Sequence, residues 1–196
     1  MTAVDDPDDL PRLDGRCFTY VFPCAWEDYC KIGFSRDPLS RLRTLHPRWY
    51  EFFDLESGTL VETETERDAR DLELTLRRPL KLHRAPAPLT IRAQAGGKTE
   101  WVRGANAELA AAARALGERG YRVYPLRAWA RLALRERLDR LYEWAQAQLP
   151  PEWAALPAGA MPGQRPLRDV LDGFAALDIA MDEHLPVHVR DWYRQG

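Results

Sequence analysis

The stretch that decides the fold spans residues 18–45 and reads FTYVFPCAWEDYCKIGFSRDPLSRLRTL. Two runs of mainly apolar and aromatic residues, 17–22 and 29–34, are separated by a short polar break. Such runs are typical of buried, pleated strands, and two strands this close in the chain commonly pair as an antiparallel hairpin. The sequence therefore predicts a β-hairpin at the start of the fold.

A helix is predicted directly after the hairpin, over residues 37–46. Ser35 or Asp37 can cap its first turn, and Pro38 fits that turn because a missing N–H costs nothing there. Leucines recurring every three residues form the buried stripe of this helix, and Arg41 lies off the stripe.

The remainder of the N-terminal half predicts one more strand, a second helix and a loop. Residues 49–55 are aromatic and apolar and predict the third strand. Residues 61–78 predict a helix, because Thr63 with Glu66 three residues later is typical of a capping box. Residues 79–98 contain three prolines and two glycines and predict a long loop.

The second half of the chain predicts mainly helices, because its composition shifts to alanine, leucine and arginine. A short strand is predicted over residues 121–124, and the proline-rich residues 150–166 predict a connector. The predicted helices cover residues 106–119, 127–149, 167–183 and 187–193. The predicted class is therefore α+β, with a small three-stranded antiparallel sheet flanked by helices and then a mainly helical extension.

Composition and length exclude some classes of protein. A chain of 196 residues that is 45% hydrophobic is sufficient for a core. It has no run of about 18 apolar residues, and its N-terminus lacks a basic region followed by an apolar one. We therefore expect a cytoplasmic protein without a membrane partner. The three cysteines have neither zinc spacing nor an even count, so they are expected to be reduced thiols.

The charge is distributed unevenly along the chain. The net charge of −2 argues against a strongly basic nucleic-acid-binding protein. Residues 1–14 hold five aspartates, whereas residues 31–48 and 77–92 each hold five lysines or arginines. Positive charge is thus concentrated where phosphates could bind, although a solvated surface with chance clustering is the alternative.

Five short motifs occur in a fixed order. They are Phe18-Thr19-Tyr20, Lys31-Ile32-Gly33, Arg41 eight residues after that glycine, Ala69-x-x-Leu72-Glu73-x-x-Leu76, and Thr99-Glu100-Trp101-Val102. This series resembles the GIY-YIG nuclease superfamily, and within it the phage-type branch of T5orf172 or MUG113-like domains. In this chain the first tripeptide keeps only the tyrosine, and lysine stands first in the second tripeptide.

The resemblance implies a division of the chain and an activity. It covers residues 17–104 as a GIY-YIG-like domain, preceded by an acidic flexible arm over residues 1–16 and followed by a helical region over residues 105–196. It implies a metal-dependent endonuclease that hydrolyses phosphodiester bonds in DNA, with Mg²⁺ or Mn²⁺ as the cofactor. RNA is left open as a substrate. The C-terminal helices would position the nucleic acid, form a homodimer or bind a protein partner.

The resemblance also implies roles for four residues, and each role has a structural alternative. Tyr20 is the candidate general base, because a cationic Lys31 on the facing strand would lower its pKa; alternatively it is a core tyrosine with a bonded hydroxyl. Lys31 would contact phosphate or assist proton transfer, or else point to solvent. Arg41 would bind the scissile phosphate through its planar fork, or else lie on the surface of its helix.

Glu73 is the candidate metal ligand, since magnesium sites often use a single carboxylate together with water and phosphate. Its structural alternative is an i,i+4 ion pair with Arg77 on an exposed helix face. We expect Tyr20, Lys31, Arg41 and Glu73 to converge on one surface. The other cations expected to contact nucleic acid are Arg36, Arg43, Arg77, Arg78, Lys81 and Arg84. The alternative function is a catalytically inactive module of the same fold that binds nucleic acid or a protein partner.

Overall fold

The computed structural model describes residues 16–92, 95–96, 100–153 and 161–195, which form one six-stranded sheet and eight α-helices. The strands are β1 Cys17–Pro23, β2 Tyr29–Ser35, β3 Thr59–Thr63, β4 Arg84–Ala85, β5 Trp101–Arg103 and β6 Val123–Pro125. Their order across the sheet is β4-β5-β2-β1-β3-β6, and every neighbouring pair is antiparallel. The helices are α1 Pro38–Leu45, α2 Trp49–Phe52, α3 Glu66–Arg77, α4 Asn106–Glu118, α5 Leu126–Arg135, α6 Leu141–Gln148, α7 Gln164–Ala176 and α8 Val187–Arg194.

The predicted hairpin is confirmed as β1 and β2 at the centre of the sheet. The class is α+β as predicted, but the sheet has six strands rather than three. Strand β1 is buried along its whole length, because β2 and β3 flank it and helices cover both of its faces. In the register of the hairpin, Tyr20 lies opposite Gly33 and Phe22 lies opposite Lys31.

The predicted helix after the hairpin is confirmed as α1, and its cap is Asp37. The backbone N–H of Ser40 donates to Asp37 Oδ1 at 2.9 Å, and Pro38 occupies the first turn. The hydroxyl of Ser35 instead accepts from the backbone N–H of Asp37 at 3.1 Å. Both candidate residues, Ser35 and Asp37, therefore accept backbone hydrogen bonds at this turn, but only Asp37 caps the helix.

The third strand was placed wrongly by the sequence pattern. Residues 49–55 begin with the short helix α2, and the third strand is β3. Trp49 and Phe53 are both buried, because a spacing of four places them on one helical face, and a short apolar run cannot distinguish this pattern from a strand. Asp54 then accepts hydrogen bonds from the backbone N–H groups of Glu56 and Ser57, and this turn starts β3.

Three predicted helices have other boundaries. Helix α3 begins at Glu66 rather than at residue 61, and its cap is Thr65, whose hydroxyl accepts from the N–H of Asp68 at 3.2 Å. The predicted helix 127–149 is divided into α5 and α6 by a 3₁₀ turn that follows Arg137. The predicted helix 167–183 is α7, which ends before Asp178, a residue with a left-handed φ of 54°.

The remaining sequence expectations fall partly outside the described residues. The predicted long loop contains a 3₁₀ helix, Arg78–His83, and β4, while residues 93–94 and 97–98 of it lie outside the described part. Residues 1–15 of the predicted arm and 154–160 of the predicted connector also lie outside it. The three cysteines are free thiols, as expected. Over the residues that the structure covers, no helix is long and apolar enough to cross a membrane.

The two faces of the sheet carry separate hydrophobic clusters. One face packs Val21, Ile32 and Val61 against α3 and α4. The other packs Phe18, Tyr20 and their neighbours against α1, α5 and α7, and extends to α8. The rings of Phe18 and Trp129 meet edge to face at 5.4 Å. Strand β6 and the C-terminal helices therefore share the sheet and core of the N-terminal half, although they lie beyond residue 104.

Because this core is shared, a cavity in a C-terminal helix should destabilise the whole chain. Leu171 of α7 is 0% exposed, and Leu171→Ala is expected to lower the free energy of unfolding by about 2–5 kcal/mol. Guanidinium unfolding followed by circular dichroism and by tryptophan fluorescence should shift together in one transition. Leu82→Ala is the matched control, because Leu82 is 98% exposed and its loss should change stability by less than about 0.5 kcal/mol. Two separate transitions would contradict a shared core.

Candidate functional site

Tyr20 lies in the centre of the sheet with its ring across Gly33 of the facing strand. A Cβ atom on Gly33 would lie only 2.6 Å from Tyr20 Cζ, so the ring position requires glycine here. The ring also stacks on Phe22 with 4.1 Å between centroids, and the residue is 1% exposed. Glycine in the second tripeptide thus makes room for the tyrosine of the first.

Arg41 of α1 contacts the hydroxyl of Tyr20. Its Nε donates to Tyr20 Oη at 3.1 Å, and its Nη1 donates to the backbone carbonyl of Ala95. Arg41 is half-buried, so it is not a solvated surface arginine. Its position off the leucine stripe of α1 allows the stripe to pack in the core while the guanidinium turns towards the strands.

Lys31 is fully buried and forms an ion pair with Glu100, which immediately precedes β5. Its ammonium also lies 5.7 Å from the centre of the Trp101 ring, a cation–π distance. The alternative that Lys31 points to solvent is therefore wrong. Glu100 belongs to the last of the five sequence motifs, where it has no catalytic role. Its negative charge allows a lysine to be buried here.

Glu73 forms the i,i+4 pair with Arg77 that the sequence offered as an alternative to metal binding. Arg77 Nη1 donates to Glu73 Oε1 at 2.7 Å. Glu73 is only 5% exposed, however, so the pair does not lie on an open helix face. Its helix packs on the face of the sheet opposite to Tyr20, with Leu72 and Leu76 in the core.

The charges of these residues act on one another. Burial raises the pKa of Tyr20 to about 12; Arg41 opposes this shift, whereas the carboxylates of Glu100 and Glu73 add to it. Burial lowers the pKa of Lys31, with Glu100 opposing and Arg41 adding to the effect. Tyr20, Arg41, Lys31 and Glu100 lie together on one face of the sheet, and we call them the Tyr20 cluster. Glu73 acts on the pKa values of Tyr20 and Lys31 through its charge, from the helix on the other face. The pKa of Tyr20 is raised rather than lowered, because burial outweighs the opposing charge and hydrogen bond of Arg41.

The predicted nucleic-acid contacts divide into two groups. Arg36 pairs with Glu66 at 3.4 Å and Arg77 pairs with Glu73, so both have carboxylate partners. Exposed cations without such pairs in the described structure form the second group, which consists of Arg43, Arg78, Lys81 and Arg84. Arg43 belongs to α1, whereas the other three follow α3, and the structure brings only Arg43 beside the C-terminal helices.

Two features near the site were not predicted from sequence. The carbonyl of Ala95 holds Arg41, and Ala95 belongs to a loop in which no pattern marks this residue. Arg137 reaches back to α1, where its Nη2 donates to Asp37 Oδ2 at 3.0 Å. A spacing of 100 residues separates this pair, so no local pattern could have indicated it.

Comparison of the chain with family models, with curated proteins and with solved structures finds no match in any of the three. The resemblance to GIY-YIG nucleases therefore rests on the five motifs and stays a prediction.

Gly33→Ala tests whether the close approach of Tyr20 sets the geometry of the site. The added methyl group must displace a ring that is stacked on Phe22, so we expect a loss of about 1–3 kcal/mol in the free energy of unfolding. Gly117→Ala is the control, because its Cβ would meet nothing closer than 3.8 Å. Alanine is also the better helix former, so this control should stabilise the chain by up to about 1 kcal/mol. Equal stability of the two variants would contradict the assignment.

The raised pKa of Tyr20 predicts that its phenol stays protonated well above pH 10. Tyrosinate absorbance at 295 nm should therefore be the same for the wild type and for Tyr20→Phe at about pH 10.5, where a model tyrosine is mostly ionised. Because the folded state holds this proton more tightly than the unfolded state, Tyr20 favours folding less as the pH rises from about 10 to 12. A difference of one full phenolate at pH 10.5 would show that the pKa is not raised.

Proposed function

We propose that this chain is a metal-dependent endonuclease that hydrolyses phosphodiester bonds in DNA. The observation that carries the proposal is the direct contact between the Tyr20 hydroxyl and the Arg41 guanidinium, 3.1 Å apart within a cluster of buried charges. Core packing alone does not call for a buried lysine paired with a glutamate and a half-buried arginine on a tyrosine hydroxyl. Groups with a perturbed pKa, such as Tyr20 and Lys31, are a common mark of functional sites.

The roles follow from the chemistry of each group. Arg41 binds the phosphate oxygens through its planar fork, exchanging the Ala95 carbonyl for a charged acceptor. Tyr20 would accept a proton from the attacking water only as the phenolate, so its own proton must first pass to solvent; the positive charge of a bound metal ion would favour that ionisation. Arg41 already opposes the effect of burial on that pKa. Lys31 holds positive charge beneath the site, and Glu100 fixes its position.

The residues present fit a metal ion only if a single carboxylate binds it. Over the described residues, no three histidine, cysteine, aspartate or glutamate side chains are grouped closely enough to enclose an ion. Glu73 is a buried carboxylate whose charge acts on Tyr20 and Lys31, and magnesium sites with one carboxylate complete their shell with water and phosphate. Glu73 would therefore hold Mg²⁺ or Mn²⁺. Such an ion, when bound, neutralises charge on the phosphate and on the leaving oxygen.

Glu73→Gln should abolish cleavage while leaving the fold and DNA binding nearly unchanged. The substitution keeps volume and hydrogen bonding but removes the charge that a metal needs. We expect nicking of supercoiled plasmid in Mg²⁺ to fall by about 100-fold or more, to the level of wild type in EDTA. Glu118→Gln, an exposed residue at the end of α4, is the charge-matched control and should cleave like the wild type. Equal cleavage by the wild type and Glu73→Gln, under conditions where the wild type needs metal, would overturn the role of Glu73.

Arg41→Ala should behave differently from Glu73→Gln. It removes a phosphate contact, so DNA binding and cleavage should weaken together. Filter binding in EDTA separates the two effects, because binding can then be measured without cleavage. Loss of cleavage with full DNA affinity would contradict a phosphate-binding role for Arg41.

A second candidate function is a non-catalytic module that binds nucleic acid or a protein partner. One observation favours it: Tyr20 and Lys31 are almost completely buried and Arg41 is held by Ala95, so the cluster is closed in this conformation. A wild type that cleaves neither DNA nor RNA with Mg²⁺ or Mn²⁺, yet binds one of them or a partner, would establish this alternative.

A further inference from the structure

A pocket of about 430 Å³ lies between α1 and the C-terminal helices, outside the Tyr20 cluster. Its charged lining consists of Arg43 from α1, Arg137 and Arg140 from the turn between α5 and α6, and a single acid, Glu143. The chain as a whole has a net charge of −2, so three arginines around one pocket are a local excess of positive charge. We call this the arginine pocket.

The positive charge of the arginine pocket is only partly compensated. Arg137 pairs with Asp37 at 3.0 Å, but this carboxylate also caps α1. Within the described part of the chain, the guanidinium groups of Arg43 and Arg140 have no hydrogen bond or ion pair. Two of the three arginines are therefore available to an added anion.

Arg137 contributes a second and independent observation. Its Nη1 is buried and has no hydrogen-bond partner, although its Nη2 is bonded to Asp37. A buried N–H group without an acceptor is unfavourable, and such groups in proteins are nearly always satisfied by a protein atom, a water or a ligand. Because this atom is shielded from solvent, an anion in the arginine pocket would reach it only if the Arg137 side chain shifted.

The electrostatics of Arg43 agree with this arrangement. Its pKa is lowered, first because neighbouring atoms desolvate the guanidinium and then because Arg137 adds like charge; Asp37 opposes the shift only in part. Folding therefore brings Arg43 and Arg137 together against their electrostatic repulsion. A phosphate beside them would reduce the repulsion and pair with the fork of Arg43.

The walls of the arginine pocket are apolar and aromatic. Trp144 and Phe174 line it, and Trp144 is only half-buried, so part of its indole faces the opening. Aromatic faces bind nucleic-acid bases by stacking, and the volume falls within the roughly 300–1,000 Å³ of small-molecule sites. We propose that the arginine pocket binds a nucleoside phosphate, with its phosphate on Arg43, Arg137 and Arg140 and its base against Trp144.

The position of the pocket indicates how it could serve the proposed nuclease. A neighbouring cleft of about 790 Å³ shares Arg43 with it and reaches Ala95, whose carbonyl holds Arg41. A strand end held in the arginine pocket would thus lie next to the cleft that Ala95 borders. The ligand is a phosphate monoester next to a base, whether free or at a strand end. The pocket itself does not depend on cleavage.

Titration calorimetry on the full chain tests the pocket with four probes: inorganic phosphate, adenosine 5′-monophosphate, a 5′-phosphorylated single-stranded oligonucleotide, and the same oligonucleotide with a 5′-hydroxyl. Arg43→Gln and Arg140→Gln should each weaken binding of the phosphorylated probes about tenfold or more, because each removes a charged hydrogen bond. Arg114→Gln removes the same charge from an exposed position on α4, and should bind like the wild type. Trp144→Leu should weaken the binding of adenosine 5′-monophosphate but not the binding of inorganic phosphate.

The two sources of the ligand give different results. Tight binding of the monophosphate, with no gain from the 5′-phosphate on the oligonucleotide, indicates a free nucleotide. A gain of about tenfold or more from that phosphate, lost in Arg43→Gln, indicates a strand end. Either result supports the arginine pocket as a nucleoside-phosphate site.

A stability measurement separates binding from a structural role. Without ligand, Arg43→Gln should melt at the same temperature as the wild type or higher, because the repulsion with Arg137 is relieved. Destabilisation of the ligand-free chain, binding that is equal in the wild type and both arginine variants, or an equal loss in Arg114→Gln would overturn the proposal. Repeating the titration with Glu73→Gln separates the two proposals, since a chain that cannot cleave should still bind the probes in full.

Discussion

A lysine ammonium buried in the middle of the sheet is the constraint on which the rest of the site depends. An unpaired charge at such a position would cost several kcal/mol, so Glu100 must lie beside Lys31. This requirement holds the start of β5 against β2, where the N–H of Ile32 also donates to the Glu100 carbonyl at 3.1 Å. The Ala95 carbonyl accepts a hydrogen bond from Arg41, and Arg41 in turn bonds Tyr20. One buried charge thereby orders a series of contacts that spans β1, β2, β5 and α1.

The C-terminal helices complete the face of the sheet that carries Tyr20. Trp129 packs on Phe18, and Arg137 contacts the residue that caps α1. The C-terminal helices therefore pack on one face of the sheet as part of the N-terminal core and do not form a separate unit.

The local part of the fold could be predicted from sequence, whereas the part set by distant contacts could not. The β1–β2 hairpin and α1 follow from runs and caps inside one stretch of 28 residues, and Asp37 and Pro38 specify the helix start. The prediction of a strand over residues 49–55 was wrong, because the spacing of Trp49 and Phe53 fits both the helical and the strand period over so short a run. The edge strands have two or three residues each and carry too little pattern to detect. At the site, the resemblance to a known family indicated Tyr20, Lys31, Arg41 and Glu73, but only the fold could bring Ala95 to Arg41 and Arg137 to Asp37.

The edges of the sheet restrict how this chain can assemble with others. The outer strands are β4, with two residues, and β6, with three, and β6 ends in a proline that has no N–H to donate. Edge strands this short, one of which begins with Arg84, offer few backbone hydrogen bonds to a strand of another chain. Growth of the sheet from chain to chain is thereby blocked, which protects a central strand buried on both faces from taking part in aggregation. Contacts between copies must then be made by helix surfaces, where side chains rather than backbone decide which partner fits.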